Sequence, residues 1–439
     1  MTPATSLIKT PLQRGDSRWC GTRNRFNGFD TVRKTVETVS KASAVQLTPL
    51  KRGVNEIGRE VWKFFAKPRA KFTLLRVFPL ALIALLVPSN HAEAGNLPLK
   101  TKNVFLIVTD GFRWQEVFTG AEEALIDKTN GGVRDLEAVR KKFWRATPEA
   151  RRQALLPFVW SEIALRGQIY GNQLQGSVAR VTNDKRFSYP GYNEMLTGHA
   201  DARIDSNKKI PNPNITVFEW LQGRPGFEKR VAALATWDVF PSIFNCGRSG
   251  IPIWPSWSTS PAGIIPSPRL TQLLEDTTPL WPDLILDGFM QQAAIDYIKQ
   301  KKPRALFLGY GETDEWAHES RYDLYLDSAH NVDRFIKNLW ELVQSISQYR
   351  GKTTFIITAD HGRGSGRTGW KDHGNKTEGA EGIWIAVLGP DTPPLGERMK
   401  TEGVGQNQIA ATIAALLGED YRSAFPQAGP PMVEVFRQN

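Results

Sequence analysis

Five short apolar runs recur along the chain: Val104–Val108, Val231–Ala235, Ala305–Leu308, Thr353–Thr358 and Ile383–Leu388. A strand with one face in water alternates apolar and polar residues. A strand covered on both faces reads instead as a continuous hydrophobic run, which is the mark of a mainly parallel sheet with helices on each side. Stretches with helical character fill the intervals. Residues 214–221 begin at Asn214 as a cap, and residues 284–302 end in lysines before Pro303. Residues 322–348 carry apolar positions at helical spacing, and residues 406–417 stop at Gly418, a residue suited to ending a helix. Strand and helix in alternation predict an α/β sandwich with a mainly parallel central sheet flanked by helices. The 439 residues, 41% of them hydrophobic, are enough for a large core.

The formal net charge of +11 suggests nucleic acid or a membrane surface, but its distribution does not. Residues 1–76 hold 16 Lys+Arg and 5 Asp+Glu, which accounts for the whole excess and leaves 40 of each sign in the rest. A nucleic-acid-binding body needs a local basic patch, and none is evident here. The basic leader runs into the eleven-residue apolar stretch Val77–Val87, followed by Pro88 and Ala92-Glu-Ala94. A positive flank, a short apolar segment and a small-x-small site are the parts of a secretory signal peptide. The apolar stretch is well short of the roughly 20 residues of a spanning helix. The expected organisation is an unordered extension or a start placed too early over residues 1–67, and a signal peptide over 68–94. Cleavage after Ala94 leaves one catalytic domain over 95–439, with no membrane anchor and a periplasmic or secreted location. The Trp- and Pro-rich stretch 251–282 reads as an insertion or lid without regular structure.

In parallel sheets, ligands bind beyond the carboxyl ends of the strands. The acid and imidazole residues of this chain gather there. Asp110 closes the first run, Asp314-Glu-Trp-Ala-His318 follows the third, and Asp360-His361 follows the fourth. Asp372-His373-Gly lies in the glycine-rich loop beyond. Three of the six histidines fall in these segments. Asp314 and His318, four apart, share a face if helical. Mixed Asp/His ligation suits zinc, with manganese or iron as alternatives. Any one of these aspartates alone is more simply a cap or turn residue; together they point to a pair of divalent metals. Two dications set against three aspartates leave a positive surplus that stabilises an alkoxide or a bound anion, and metal pairs about 3.5–4 Å apart are typical of phosphoryl-transfer hydrolases. Ser188, ahead of a Pro-Gly turn, is either a helix cap or a hydroxyl presented at a helix N-terminus, where an anion is favoured.

The ordered pattern resembles the alkaline phosphatase superfamily from about residue 102 to 418, and within it the nucleotide pyrophosphatase/phosphodiesterase branch. The resemblance implies that Asp314, His318 and His373 bind one zinc. Asp110, Asp360 and His361 would bind the other, with Ser188 bridging toward it as nucleophile. The branch has a Thr-Phe-Pro-Asn-type segment with Thr-Gly about ten residues on; here Ser188-Tyr-Pro-Gly leads to Thr197-Gly198. Asn207, or less closely Asn193, matches the asparagine that binds a phosphoryl oxygen, and Arg363, Arg367 and Lys371 lie where a phosphate clamp could be. The sulfatase branch requires Cys/Ser-x-Pro/Ala-x-Arg. Ser188-Tyr-Pro-Gly-Tyr192 has the proline but not the arginine, which argues against a sulfatase.

The activity implied is hydrolysis of a small-molecule phosphoester, diester or pyrophosphate ahead of monoester, through a phosphoserine. The alternatives are a sulfatase-like hydrolase or a phosphotransferase or mutase of the same superfamily, and more remotely a non-catalytic binding protein of the envelope.

Overall fold

The computed structural model of the chain describes residues 98–257 and 264–436. The extension expected over 1–67 and the signal peptide expected over 68–94 lie outside the described residues. Among the described residues no helix is long and apolar enough to cross a membrane.

The described residues form eleven strands: β1 Asn103–Thr109, β2 Gln168–Tyr170, β3 Ala179–Arg180, β4 Val231–Ala235, β5 Ile253–Pro255, β6 Ala305–Tyr310, β7 Thr353–Thr358, β8 Gly382–Ile383, β9 Ile385–Leu388, β10 Gly396–Glu397 and β11 Val404–Gly405. Eight form one sheet in the order β10-β2-β9-β7-β1-β6-β4-β5, and β11-β3-β8 form a small second one. In the large sheet β9 pairs antiparallel with both β7 and β2, while the other pairings are parallel. The expected mainly parallel α/β sheet is therefore present, with one reversed strand. Its cause is the connection. A parallel return needs a crossover to the far end of the sheet, whereas the chain after β7 spends residues 359–381 looping at the carboxyl end and re-enters from that end.

Every residue of β1, β4, β6 and β7 is buried, as continuous apolar runs require. Phe307 on β6 anchors an aromatic cluster with Phe240, Phe244 and Phe218. The fifth run is divided: its first residue belongs to β8 and its last four to β9, with Trp384 between them.

Helix boundaries differ by a few residues from expectation. The helix Val217–Gln222 is capped by Thr216, whose side chain accepts the Glu219 N–H; the Asn214 amide donates instead to Asn193 and Asp201. The helices Asp287–Lys301 and Tyr322–Ser345 start or stop inside the expected stretches. Ile409–Leu416 is followed at Gly418 by a left-handed φ of 80°.

The stretch 251–282 is not without regular structure. β5 extends the sheet edge beside β4, and Pro268–Asp276 is a helix capped by Ser267. Pro268 is its first residue, where proline's fixed φ starts a helix rather than breaking one.

Candidate metal centre

The three central strands β7, β1 and β6 are neighbours and parallel, and Thr109 sits level with Tyr310 and Val108 with Thr358. Their carboxyl ends therefore open side by side. Asp110 is the residue after β1. Gly111 then turns with φ +56°, and a Cβ there would meet Asp314 Oδ1 at 2.6 Å, so only glycine lets the two segments approach. Beyond β6 the short helix Glu312–His318 carries Asp314 and His318 one turn apart. Beyond β7 come Asp360 and His361, both fully buried.

These side chains converge. His361 Nε2 lies 3.3 Å from Asp110 Oδ1, 3.6 Å from Asp360 Oδ2 and 3.7 Å from Asp314 Oδ1. His373 stacks on it, with ring centroids 4.1 Å apart, and its Nε2 is 3.9 Å from Asp314 Oδ1. His318 Nε2 is 3.1 Å from Asp314 Oδ2 and 3.0 Å from His373 Nε2. Two groups result, Asp110–Asp360–His361 and Asp314–His361–His373, each with donor atoms within 4.8 Å of one another. His361 belongs to both, and His318 joins the second through Asp314 and His373.

The electrostatics call for cations. Burial, and then the charge of Asp314, push the Asp110 carboxyl up to about 8. Burial and Asp110 push Asp360 well above the usual carboxylate range. Burial also acts against ionised Asp314, but the Arg363 guanidinium and the rings of His318 and His373 outweigh it and hold that carboxyl well below its usual value. Burial holds His361 neutral, down to about 4, and, together with the neighbouring His361, lowers His373 to about 2. Neutral imidazole is the form that ligates a metal. Asp110 Oδ1 and Asp360 Oδ2 are buried with no hydrogen-bond partner, a costly state unless a cation completes it. The donor set thus fits divalent metal.

Ser188 opens the helix Ser188–Thr197. It is the first helical residue, and the cap before it is Phe187, so the hydroxyl is not in the capping position. Its Oγ stands 3.5 Å from His361 Nε2. The helix can lie this close because Gly191 faces Asp360: a Cβ at Gly191 would be 2.2 Å from the Asp360 carbonyl oxygen.

Of the expected substrate contacts, only Asn207 is beside Ser188, its Oδ1 accepting the Tyr189 N–H at 3.0 Å. Asn193 is fully buried, and its amide bonds His199 O, Asn212 and Asn214. It points into a polar knot because it lies five positions beyond Ser188, off that face of the helix. Arg363 is 1% exposed. It donates to Gly111 O, Lys371 O and both Asp314 O and Oδ1, so its guanidinium braces Asp314 rather than facing an open cleft. Arg367 is exposed.

Sequence reasoning missed several residues. Tyr192 donates to Asp110 Oδ2 at 2.9 Å, and Thr313 donates to Asp110 O at 2.6 Å. Gln406 Nε2 donates to the carbonyls of Ala359 and Asp360. Glu194 accepts from Thr182 and Asn183, holding the loop that leads to Ser188. The Pro-Gly departure at Gly191 was the one visible signal for any of this; a tyrosine or glutamine that bonds across 82 or 46 residues leaves none.

Residues 280–419 match the family model described as Sulfatase. That segment holds Asp314, His318, Asp360, His361 and His373, but neither Asp110 nor the Ser188 segment. A 2,3-bisphosphoglycerate-independent phosphoglycerate mutase from Haloarcula marismortui is 27% identical over 145 residues, 33% of this chain. The match spans only 26% of that relative's length. A putative sulfatase from Bacteroides thetaiotaomicron superposes with a TM-score of 0.49 at 13% identity, over 77% of this chain and 76% of that one. A phosphonate monoester hydrolase from Silicibacter pomeroyi gives 0.46 at 13% identity, over 76% of each chain. Over residues 280–419, the sulfatase-family match bears out the resemblance to the alkaline phosphatase superfamily.

Proposed function

We propose that the chain is an exported two-metal phosphoester hydrolase working through a covalent phosphoserine at Ser188. One observation carries the reading. Three aspartates and three histidines meet at the ends of three adjacent strands, and a helix-start serine lies 3.5 Å from the shared histidine. Asp110, Asp360 and His361 would hold one ion, and Asp314, His318 and His373 the other, zinc before manganese. Metals bound there supply charge for developing oxyanions and lower the pKa of a coordinated hydroxyl.

The chain's own residues do the rest. Ser188 Oγ gives up its proton and forms a bond to phosphorus as the bond to the ester oxygen opposite breaks and that oxygen takes up a proton. Water then attacks the same phosphorus, the Ser188 O–P bond breaks, and serine is regenerated as the phosphoryl product departs. Asn207, beside Ser188, is suited to a phosphoryl oxygen. Catalysis of this type is mostly positioning and electrostatic stabilisation. The apolar stretch Val77–Val87 and its flanks support export.

Sulfate-ester hydrolysis is the second reading, favoured by the family model over 280–419. That segment omits the nucleophile, where the branches differ, and Tyr192 stands where the sulfatase pattern needs arginine. A panel of aryl phosphate monoester, diester and sulfate, with metal content measured on the same sample, tests both. Ser188→Ala is expected to lose phosphoester turnover by at least about a thousandfold while keeping both metals. Faster sulfate than phosphate turnover overturns the first reading. Full activity of Ser188→Ala removes Ser188 as nucleophile.

A further inference from the structure

We propose that Tyr192 is a positioning residue for the metal group of Asp110, Asp360 and His361, holding one oxygen of Asp110 so that the other faces the ion. This rests on the two-metal reading above. The Tyr192 hydroxyl donates to Asp110 Oδ2 at 2.9 Å. The other oxygen, Oδ1, is buried without a hydrogen-bond partner and lies 3.3 Å from His361 Nε2. A carboxylate with one oxygen fixed and one left bare is oriented for a cation; partners of this kind tune the affinity of the ligand they hold.

The phenol is itself held. Its ring is fully buried and packs edge-on against Phe240 at 4.7 Å and Phe307 at 6.1 Å. Phe307 lies on β6, the strand that leads to Asp314, so the phenol is seated against one of the strands that set the ligands. Tyr192 also follows Ser188 by four residues in one helix, and residues so spaced share a face. One rigid helix therefore sets both the nucleophile and the orientation of Asp110. A guanidinium at this position would bring a positive charge against Asp110. The neutral phenol gives a hydrogen bond without that charge.

Tyr192→Phe removes the hydroxyl and keeps the packed ring. Metal-depleted wild type and variant are titrated with Zn2+ against a chromophoric chelator, and the melting temperature of the metal-free forms is recorded. The expected result is two zinc equivalents for wild type. In the variant, one of them is weakened about 10–100-fold, with the other within about threefold and metal-free melting unchanged. Aryl phosphate turnover should return on adding excess zinc. Two unaltered affinities overturn the proposal, and so does a uniform loss of both sites with a lowered metal-free melting temperature, which would make Tyr192 merely structural. A wild type that takes up no divalent metal overturns the two-metal reading itself.

Discussion

Gly191→Ala tests how closely the Ser188 helix and the proposed metal ligands must fit. On helix propensity alone the change is favourable, by about 1 kcal/mol. The structure predicts the opposite for activity. The added Cβ would lie 2.2 Å from the Asp360 carbonyl oxygen, where ordinary contact begins at 3.4 Å. The helix and the Asp360 turn must then part by about 1.2 Å. The turn cannot yield easily, because Gln406 holds both of its carbonyls and Gly111 N–H holds Asp360 Oδ1 at 3.0 Å. The helix therefore moves and takes Ser188 with it. A misplacement of about 1 Å at reacting groups costs on the order of a hundredfold in rate, or about 2.7 kcal/mol of barrier. The assay is kcat for an aryl phosphate at saturating zinc, with metal content and circular dichroism as checks that the fold survives. A folded, metal-loaded variant within threefold of wild-type kcat would refute the reasoning, because it would mean that the Ser188–His361 separation is not set by this contact.

Two further predictions concern residues outside the ligand set. Gln406→Leu removes the side-chain amide that donates to the buried carbonyls of Ala359 and Asp360 and should lower stability by about 1–3 kcal/mol; a urea midpoint shift equivalent to less than about 0.5 kcal/mol would count against it. Asp333 accepts the N–H groups of Phe158 and Val159, and burial raises its carboxyl to about 7 from the usual 3.8. A carboxyl raised on folding favours the protonated native state. Its stabilising contribution is therefore complete below about pH 4 and lost as pH rises to about 7. The stability difference between wild type and Asp333→Asn should drift against wild type across that window and flatten above it. Urea melts showing a constant difference from pH 4 to 8 would sink the assignment.

The apolar runs made the sheet legible because burial on both faces is written in each strand's own residues. The reversed β9 was not legible: IWIAVL reads alike in either direction, and only the loop that precedes it decides. The stretch 251–282 misled for a related reason, since its tryptophans and prolines say nothing of the strand partner β4 or of Ser267 as a cap. The aspartates and histidines were legible from type and position. Tyr192 and Gln406 were not, because their roles depend on partners far along the chain. Asn193 failed because spacing along a helix, not distance in sequence from Ser188, decides which face a side chain takes.

The strand order itself follows from the positions of these aspartates and histidines once the strands are taken as parallel. Adjacent strands lie about 4.8 Å apart, and next-but-one strands about twice that. Asp110, Asp360 and His361, with donor atoms within 4.8 Å of one another, sit within two or three residues of strand ends, too close for side chains to bridge an intervening strand. β1 and β7 must therefore be neighbours. Asp314 Oδ1 is equally near His361, at 3.7 Å, so β6 must adjoin the same pair. The strand carrying Asp110 takes the middle because its ligand is reached from both sides: by Tyr192, on the helix that packs against Asp360, and by Thr313, on the helix beyond β6. β4, Val231–Ala235, is followed by Thr236 and Trp237, neither of them an acid or imidazole, and is left to the flank, where the sheet has it.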